Sequence, residues 1–122
     1  MVKVLYIDDR EDLRRVFPNF MKVAVHIDTE VPMAPGGQEG VETALRQKPD
    51  IIFIDSTMPI MDGIEATRCL KANENLRDVP VIMALVYVER LERQKEAGVA
   101  FFVNKPFTPE ELESAMRRVL GL

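Results

Sequence analysis

The sequence predicts an α/β domain built on a doubly wound parallel sheet. Short apolar runs alternate along the chain with segments of helical periodicity. Those runs are continuous rather than alternating in polarity, the pattern of strands covered on both faces. The 122 residues suit one domain, expected over 1–122, and a chain of that size buries roughly two-thirds of the surface its unfolded form exposes.

Taken in order, "VKVLYI" (2–7) reads as the first strand. "EDLRRVFPNFM" (11–21) places Leu13, Val16, Phe17, Phe20 and Met21 at helical spacing. Pro18 lies inside that pattern and is expected to kink or shorten the helix. "KVAVHI" (22–27) reads as the second strand, with His26 in its middle, and "DTEVPMAPGG" (28–37) as a loop. A short helix follows over 38–46, with Val41, Ala44 and Leu45 inward. "DIIFID" (50–55) is the third strand and "IEATRCLKAN" (64–73) the third helix.

"VPVIMALV" (79–86) is the fourth strand, with Pro80 at its start, where a missing N–H does least harm. "VERLERQKEAG" (88–98) is a thinly apolar helix ending on Gly98, a C-cap residue. "AFFV" (100–103) is the fifth strand. The last helix carries the best start signal: Thr108 as N-cap, Pro109 at the first helical position, Glu111 three residues after the cap. Its inward stripe is Leu112, Ala115, Met116, Val119 and Leu120.

Composition narrows the function classes. The net charge of −4 and the lack of a Lys/Arg cluster argue against direct nucleic-acid contact. The longest apolar run, Val81 to Val88, is far short of the ~20 residues that span a bilayer. The N-terminus has no secretory cleavage pattern, so a cytoplasmic location is expected and no membrane partner. Cys69 is the single cysteine, read as a buried reduced thiol. The methionines are scattered and read as core filler.

In an open parallel sheet, ligands bind outside the carboxyl ends of the strands. That rule gives meaning to "IIFIDSTMPIMDG" (51–63), where an apolar run stops on Asp55. Asp8 and Asp9 end the first strand at the same edge, and Lys105 lies two residues past the fifth. The first and third strands should be neighbours ~4.8 Å apart, and the fifth ~10 Å from the third, a gap much of which a Lys stem can cover. Three clustered carboxylates repel one another. An oxygen-only set of this kind suits Mg2+. With a dication and Lys105 nearby, Asp55 could act as a nucleophile on a phosphoryl group. Each element alone is ordinary: Asp-Asp at a strand end is usually a solvated turn, and Asp62-Gly63 alone is only a turn.

Taken together, Asp8-Asp9, the Asp-x-x-Met-Pro-x-Met-Asp-Gly segment from Asp55 to Gly63, and Lys105-Pro106-Phe107 in "AGVAFFVNKPF" are a specific combination. By them the chain resembles the receiver domains of two-component response regulators over essentially its whole length. The resemblance implies a flavodoxin-like (βα)5 fold with strand order 2-1-3-4-5. It implies that Asp55 accepts phosphate from a phosphohistidine on a sensor histidine kinase or histidine phosphotransfer protein. Asp9, Asp55 and the Thr57 carbonyl would hold Mg2+ directly, and Asp8 through water. Lys105 would pair with the phosphoryl group, and the Lys105–Pro106 bond would be cis, an isomer uncommon even before proline. Such a domain is no conventional enzyme, acting only in its own phosphorylation and dephosphorylation. It signals by protein contact to a downstream protein or output domain. The 88–98 helix, the fifth strand and the last helix are the usual contact face, which could also join two copies as a homodimer.

One position departs from the family pattern. The Thr or Ser expected at the end of the fourth strand falls on Leu85, and Thr67 to Thr108 encloses no Ser or Thr. The aromatic switch position falls on Phe102. A charge-assisted hydrogen bond of ~1.5–3 kcal/mol is one that Leu cannot make, whereas moving a two-state equilibrium from 1:99 to 99:1 takes ~5.5 kcal/mol. Asp55 is therefore expected to stay chemically competent while conformational readout is weakened or rewired. Tyr87, two residues on, is read either as a brake on water attack, with Thr57 as the other modulator of phosphoryl loss, or as a packed loop residue. His26 is read as structural, so the chain is not its own phosphodonor. A pseudo-receiver, a phosphorylation-independent interaction module with the switch lost, is the alternative that Leu85 motivates. A Mg2+-dependent phosphatase is disfavoured, because the position two after Asp55 is Thr57 rather than a second acid.

Overall fold

A computed structural model describes residues 1–86, 95 and 97–122. The described elements are β1 (Val2–Ile7), α1 (Glu11–Ala24), β2 (Thr29–Glu30), β3 (Met33–Ala34), α2 (Gly37–Gln47), β4 (Ile51–Asp55), α3 (Gly63–Ala72), β5 (Val81–Leu85), β6 (Phe101–Asn104) and α4 (Pro109–Leu120). The helix expected over 88–98, and Tyr87 with it, lies largely outside the described residues.

The sheet is parallel, in the order β2-β1-β4-β5-β6, with β3 also paired to β1. Counted as one interrupted strand, β2 and β3 make this the doubly wound order 2-1-3-4-5. Both faces are covered. Along β1, Leu5 and Ile7 join Ile52, Ile54 and Met83 in a cluster with Ala44 of α2 and Leu70 of α3. Val4 and Tyr6 turn the other way, to Phe53, Ile82 and Val103 with Phe17 of α1 and Leu112 of α4. Each central strand therefore needs apolar residues at every position, which is why the runs are continuous.

The second strand is not where the sequence put it. Residues 22–24 continue α1, and the edge strand lies in the expected loop, as the pieces 29–30 and 33–34. Phe17, Met21 and Val25 are buried at four-residue spacing while Val23 is exposed, so "KVAVHI" follows the helical period. The edge strand is split by Val31-Pro32, and the Pro32 carbonyl accepts the Tyr6 N–H at 2.9 Å. An edge position tolerates a proline that has no N–H to give. Nor does Pro18 shorten α1, which is continuous for 14 residues; one ladder bond is missing.

Three side chains are also corrected. Leu45 is exposed rather than inward, and Val16 is exposed although it shares the helical spacing of its apolar neighbours. Cys69 is exposed on α3, not buried. His26 is not in a strand: it follows α1, exposed, with Nδ1 3.3 Å from Glu113 Oε1. The last helix has its full capping box, Thr108 Oγ1 accepting from the Glu111 N–H at 3.1 Å and Glu111 Oε1 from the Thr108 N–H at 3.2 Å. No described helix is long and apolar enough to cross a membrane.

Candidate functional site

All strands run the same way, so β1, β4 and β6 deliver their ends to one edge. Asp8 and Asp9 follow directly on Ile7, Asp55 is the last residue of β4, and Lys105 follows directly on Asn104. One carboxylate oxygen from each of Asp8, Asp9 and Asp55 lies within 4.8 Å of the others. Asp8 is 0% and Asp55 6% exposed, whereas Asp9 faces solvent. Lys105 crosses the full gap: its Nζ is 2.9 Å from Asp55 Oδ1 and 3.8 Å from Asp8 Oδ2. The Lys105 N–H is anchored by the Leu85 carbonyl at 2.7 Å, and the Lys105–Pro106 peptide bond is cis.

The Asp8 carboxylate is held on both oxygens. Oδ1 accepts the Arg10 N–H at 3.0 Å and Oδ2 accepts the Tyr6 hydroxyl at 2.7 Å. Asp55 is held less well. Its Oδ1 is buried and has no properly directed hydrogen bond among the described residues, although the Lys105 ammonium is 2.9 Å away. The contact is an ion pair at close range rather than an aligned hydrogen bond. Burial pushes the Asp55 carboxyl above its ordinary range; the close Lys105 ammonium pulls it back, and the Asp8 charge raises it again. Burial also pushes the Tyr6 phenol up, reinforced by its bond to Asp8, so the hydroxyl keeps its proton.

The loop after Asp55 is set by Gly63. Its N–H donates to the Ser56 carbonyl at 3.0 Å. A Cβ there would stand 2.4 Å from the Asp55 carbonyl oxygen, so only glycine lets α3 start so close to the strand end. Asp62 then caps α3, accepting the Glu65 N–H at 2.9 Å. Thr57 is exposed in this loop, with Oγ1 3.4 Å from Ser56 Oγ.

Leu85 ends β5 one residue after Ala84, the partner of Asp55 in the ladder. It is buried in the cluster on the α2 and α3 side, against which the half-buried Phe102 packs. Sequence reasoning missed Tyr6. The available signal was alternation: residues 6 and 8 are two apart in extended chain, so their side chains leave the same face.

The donor set is all oxygen, compact, acidic and carries a buried oxygen in want of a partner. Those are the features of a hard-cation site, and Mg2+ fits it.

Known proteins are similar to this chain in sequence and in fold. The response regulator protein VraR of Staphylococcus saprophyticus is 32% identical over 119 residues, 96% of this chain and 56% of that protein. The probable transcriptional regulator ycf27 of Porphyridium aerugineum is 32% identical over 120 residues, 97% of this chain and 48% of that one. The chain thus spans about half the length of the curated relatives it matches. Among solved structures, Vibrio cholerae chemotaxis protein CheY4 superposes with a TM-score of 0.88 at 30% identity, covering 98% of this chain and 99% of the other. The receiver domain of sensor histidine kinase PA1611 from Pseudomonas aeruginosa gives 0.87 at 28% identity, covering 99% and 98%, and holds a magnesium ion in its active-site cleft. Residues 4–117 match the response regulator receiver domain as a family, and the chain belongs to that family.

Proposed function

We propose that Asp55 is the phosphoacceptor of this receiver domain, taking a phosphoryl group from a phosphohistidine on a sensor histidine kinase or a histidine phosphotransfer protein. The observation that carries this reading is the Asp55 carboxylate itself, buried at a strand end, with one oxygen that has no hydrogen-bond partner among the described residues and the Lys105 ammonium 2.9 Å from it. An Asp55 oxygen forms the new P–O bond as the P–N bond to the donor imidazole breaks, and the imidazole leaves with the bonding pair. Lys105 then pairs with a phosphoryl oxygen in place of the carboxylate. Asp9, Asp55 and the Thr57 carbonyl would hold Mg2+, with Asp8 acting through water. When bound, the ion offsets the carboxylate charge and the charge on the transferring oxygens. Output passes by contact to a downstream protein or output domain, through the face that includes β6 and α4, which could also pair two copies as a homodimer. We expect no direct nucleic-acid contact from these 122 residues, on their net charge of −4.

The test is the intact mass after incubation with acetyl phosphate and MgCl2. Wild type is expected to gain one phosphoryl group, and Asp55→Asn none. An unmodified wild type sinks the phosphoacceptor reading. Turnover of a free phosphoester would point instead to a phosphatase.

Leu85 favours a second reading, a pseudo-receiver that binds partners regardless of phosphorylation. Leu85 is buried among apolar side chains and has no group to bond a phosphoryl oxygen. Replacing it with Thr is expected to increase the change in amide NMR shifts on adding beryllofluoride and MgCl2. An unchanged response would remove Leu85 as the limit on readout.

A further inference from the structure

We propose that Tyr6 is a positioning residue for Asp8, and that its hydroxyl sets the Mg2+ affinity of the acid pocket by holding the Asp8 carboxylate in place; the inference rests on the phosphoacceptor reading of that pocket. Asp8 is wholly buried. It has no water-facing surface, so its orientation is decided by the donors the protein supplies. Among the described residues there are two at hydrogen-bond distance, one on each oxygen: the Arg10 N–H at 3.0 Å and the Tyr6 hydroxyl at 2.7 Å. Lys105 Nζ is farther from Oδ2, at 3.8 Å, and lies closer to Asp55, at 2.9 Å. Two donors on opposite oxygens fix the plane of a carboxylate; one alone leaves it free to turn about the remaining bond. Each oxygen still has a second lone pair, so a cation or its water can be met without breaking either bond.

The hydroxyl is itself held firmly. The Tyr6 ring stacks on Phe17 with centroids 4.0 Å apart and planes 16° from parallel, and it leans on Phe53 at 5.6 Å. Its position is therefore set by the α1 side of the core. A phenol carries its proton at neutral pH. Tyr6 thus adds a donor without adding a charge. A cation in its place would orient Asp8 equally well but would repel Mg2+. The bland alternative is that Asp8 merely satisfies a core tyrosine. The two differ in what happens to the metal when only the oxygen is removed.

Tyr6→Phe keeps the ring and its stack and deletes the O–H. Partners that orient metal-binding carboxylates typically carry a 10–100-fold effect on affinity. Calorimetric titration of the metal-stripped protein with MgCl2 is expected to show Tyr6→Phe binding at least about 10-fold more weakly than wild type. Phosphoryl uptake from acetyl phosphate is expected to slow at limiting MgCl2 and recover at saturating MgCl2, because Asp55 and Lys105 are untouched. Thr108→Ala serves as the control for general destabilisation; it removes the α4 cap, a hydroxyl bonded to the Glu111 N–H rather than to a pocket acid, and should leave the Mg2+ dissociation constant unchanged. A Tyr6→Phe constant within twofold of wild type, or the same loss in Thr108→Ala, overturns the positioning role. If wild type itself takes up no Mg2+, the phosphoacceptor reading falls and this inference with it. Normal binding by wild type and Tyr6→Phe alike overturns the inference alone.

Discussion

Gly63→Ala is expected to destabilise the domain by about 3 kcal/mol or more, at the upper end of overpacking costs. The added Cβ would lie 2.4 Å from the Asp55 carbonyl oxygen and 2.9 Å from Ser56 Cα. Both are backbone atoms, so no side chain can turn aside to relieve the contact. The strand end cannot retreat either. Asp55 is paired with Ala84, and the Ser56 N–H donates to the Ala84 carbonyl at 3.0 Å. Relief must come from moving α3 outward, which breaks the Gly63 N–H bond to Ser56 and loosens Ile64, Ala66 and Leu70 in the core. For a domain of this size, about 3 kcal/mol corresponds to roughly 12 °C in Tm. Thermal unfolding followed by circular dichroism measures it. A shift below about 4 °C, or ~1 kcal/mol, would mean that the strand end is softer than its hydrogen bonds imply. The backbone that moves is that of Asp55, so a folded Gly63→Ala should also take up phosphoryl groups more slowly.

Asp55→Asn is expected to do two opposite things to stability. Without metal the variant should be more stable than wild type at neutral pH. Burial raises the Asp55 carboxyl above its unfolded value, so the native state holds that proton more tightly than the unfolded chain does. Wild-type stability then falls as pH rises through the interval between the unfolded and the raised folded value, and the loss is complete above it. Asn has no proton to lose and escapes that decline, while Lys105 keeps Asp8 as a partner at 3.8 Å. With Mg2+ the order reverses. A ligand at 100 times its dissociation constant stabilises the native state by about 2.7 kcal/mol, or roughly 10 °C here. Wild type should gain that increment on adding MgCl2, and Asp55→Asn should gain little. Urea midpoints in EDTA and in MgCl2, taken from the acid side to neutrality, test both halves. A variant that is less stable than wild type in EDTA would show that the Lys105 pair outweighs the burial of Asp55.

Much of the site was legible because it is written at strand ends. A short, mostly apolar run followed by an acid locates that acid at the sheet edge whatever the details of packing, and this holds for Asp8 and Asp55 alike. Lys105 was read from its place past the fifth strand, though the ~10 Å separation expected from strand spacing left its reach open; the side chain in fact closes to 2.9 Å from Asp55 Oδ1. The capping box at Thr108 was legible for the same reason as the strand ends: its partners are three residues apart.

What the sequence could not decide were the matters settled by distant partners. "KVAVHI" has both strand composition and helical spacing, and its first three residues, 22–24, end the helix that buries Phe17 and Met21. The edge strand is two pairs of residues with a proline between them, too short to show a period; only the open edge of β1 makes strands of them. The exposure of Cys69 likewise depends on which face α3 turns to the sheet. By itself, then, the sequence determined the α/β class, the common edge and the acids and lysine that meet there, since these follow from short-range pattern and the chirality of parallel crossovers. Only the tertiary structure decided that Tyr6 holds Asp8 and that an Asp55 oxygen is left buried without an aligned donor among the described residues, because both depend on ångström-scale distances that no pattern of residue types encodes.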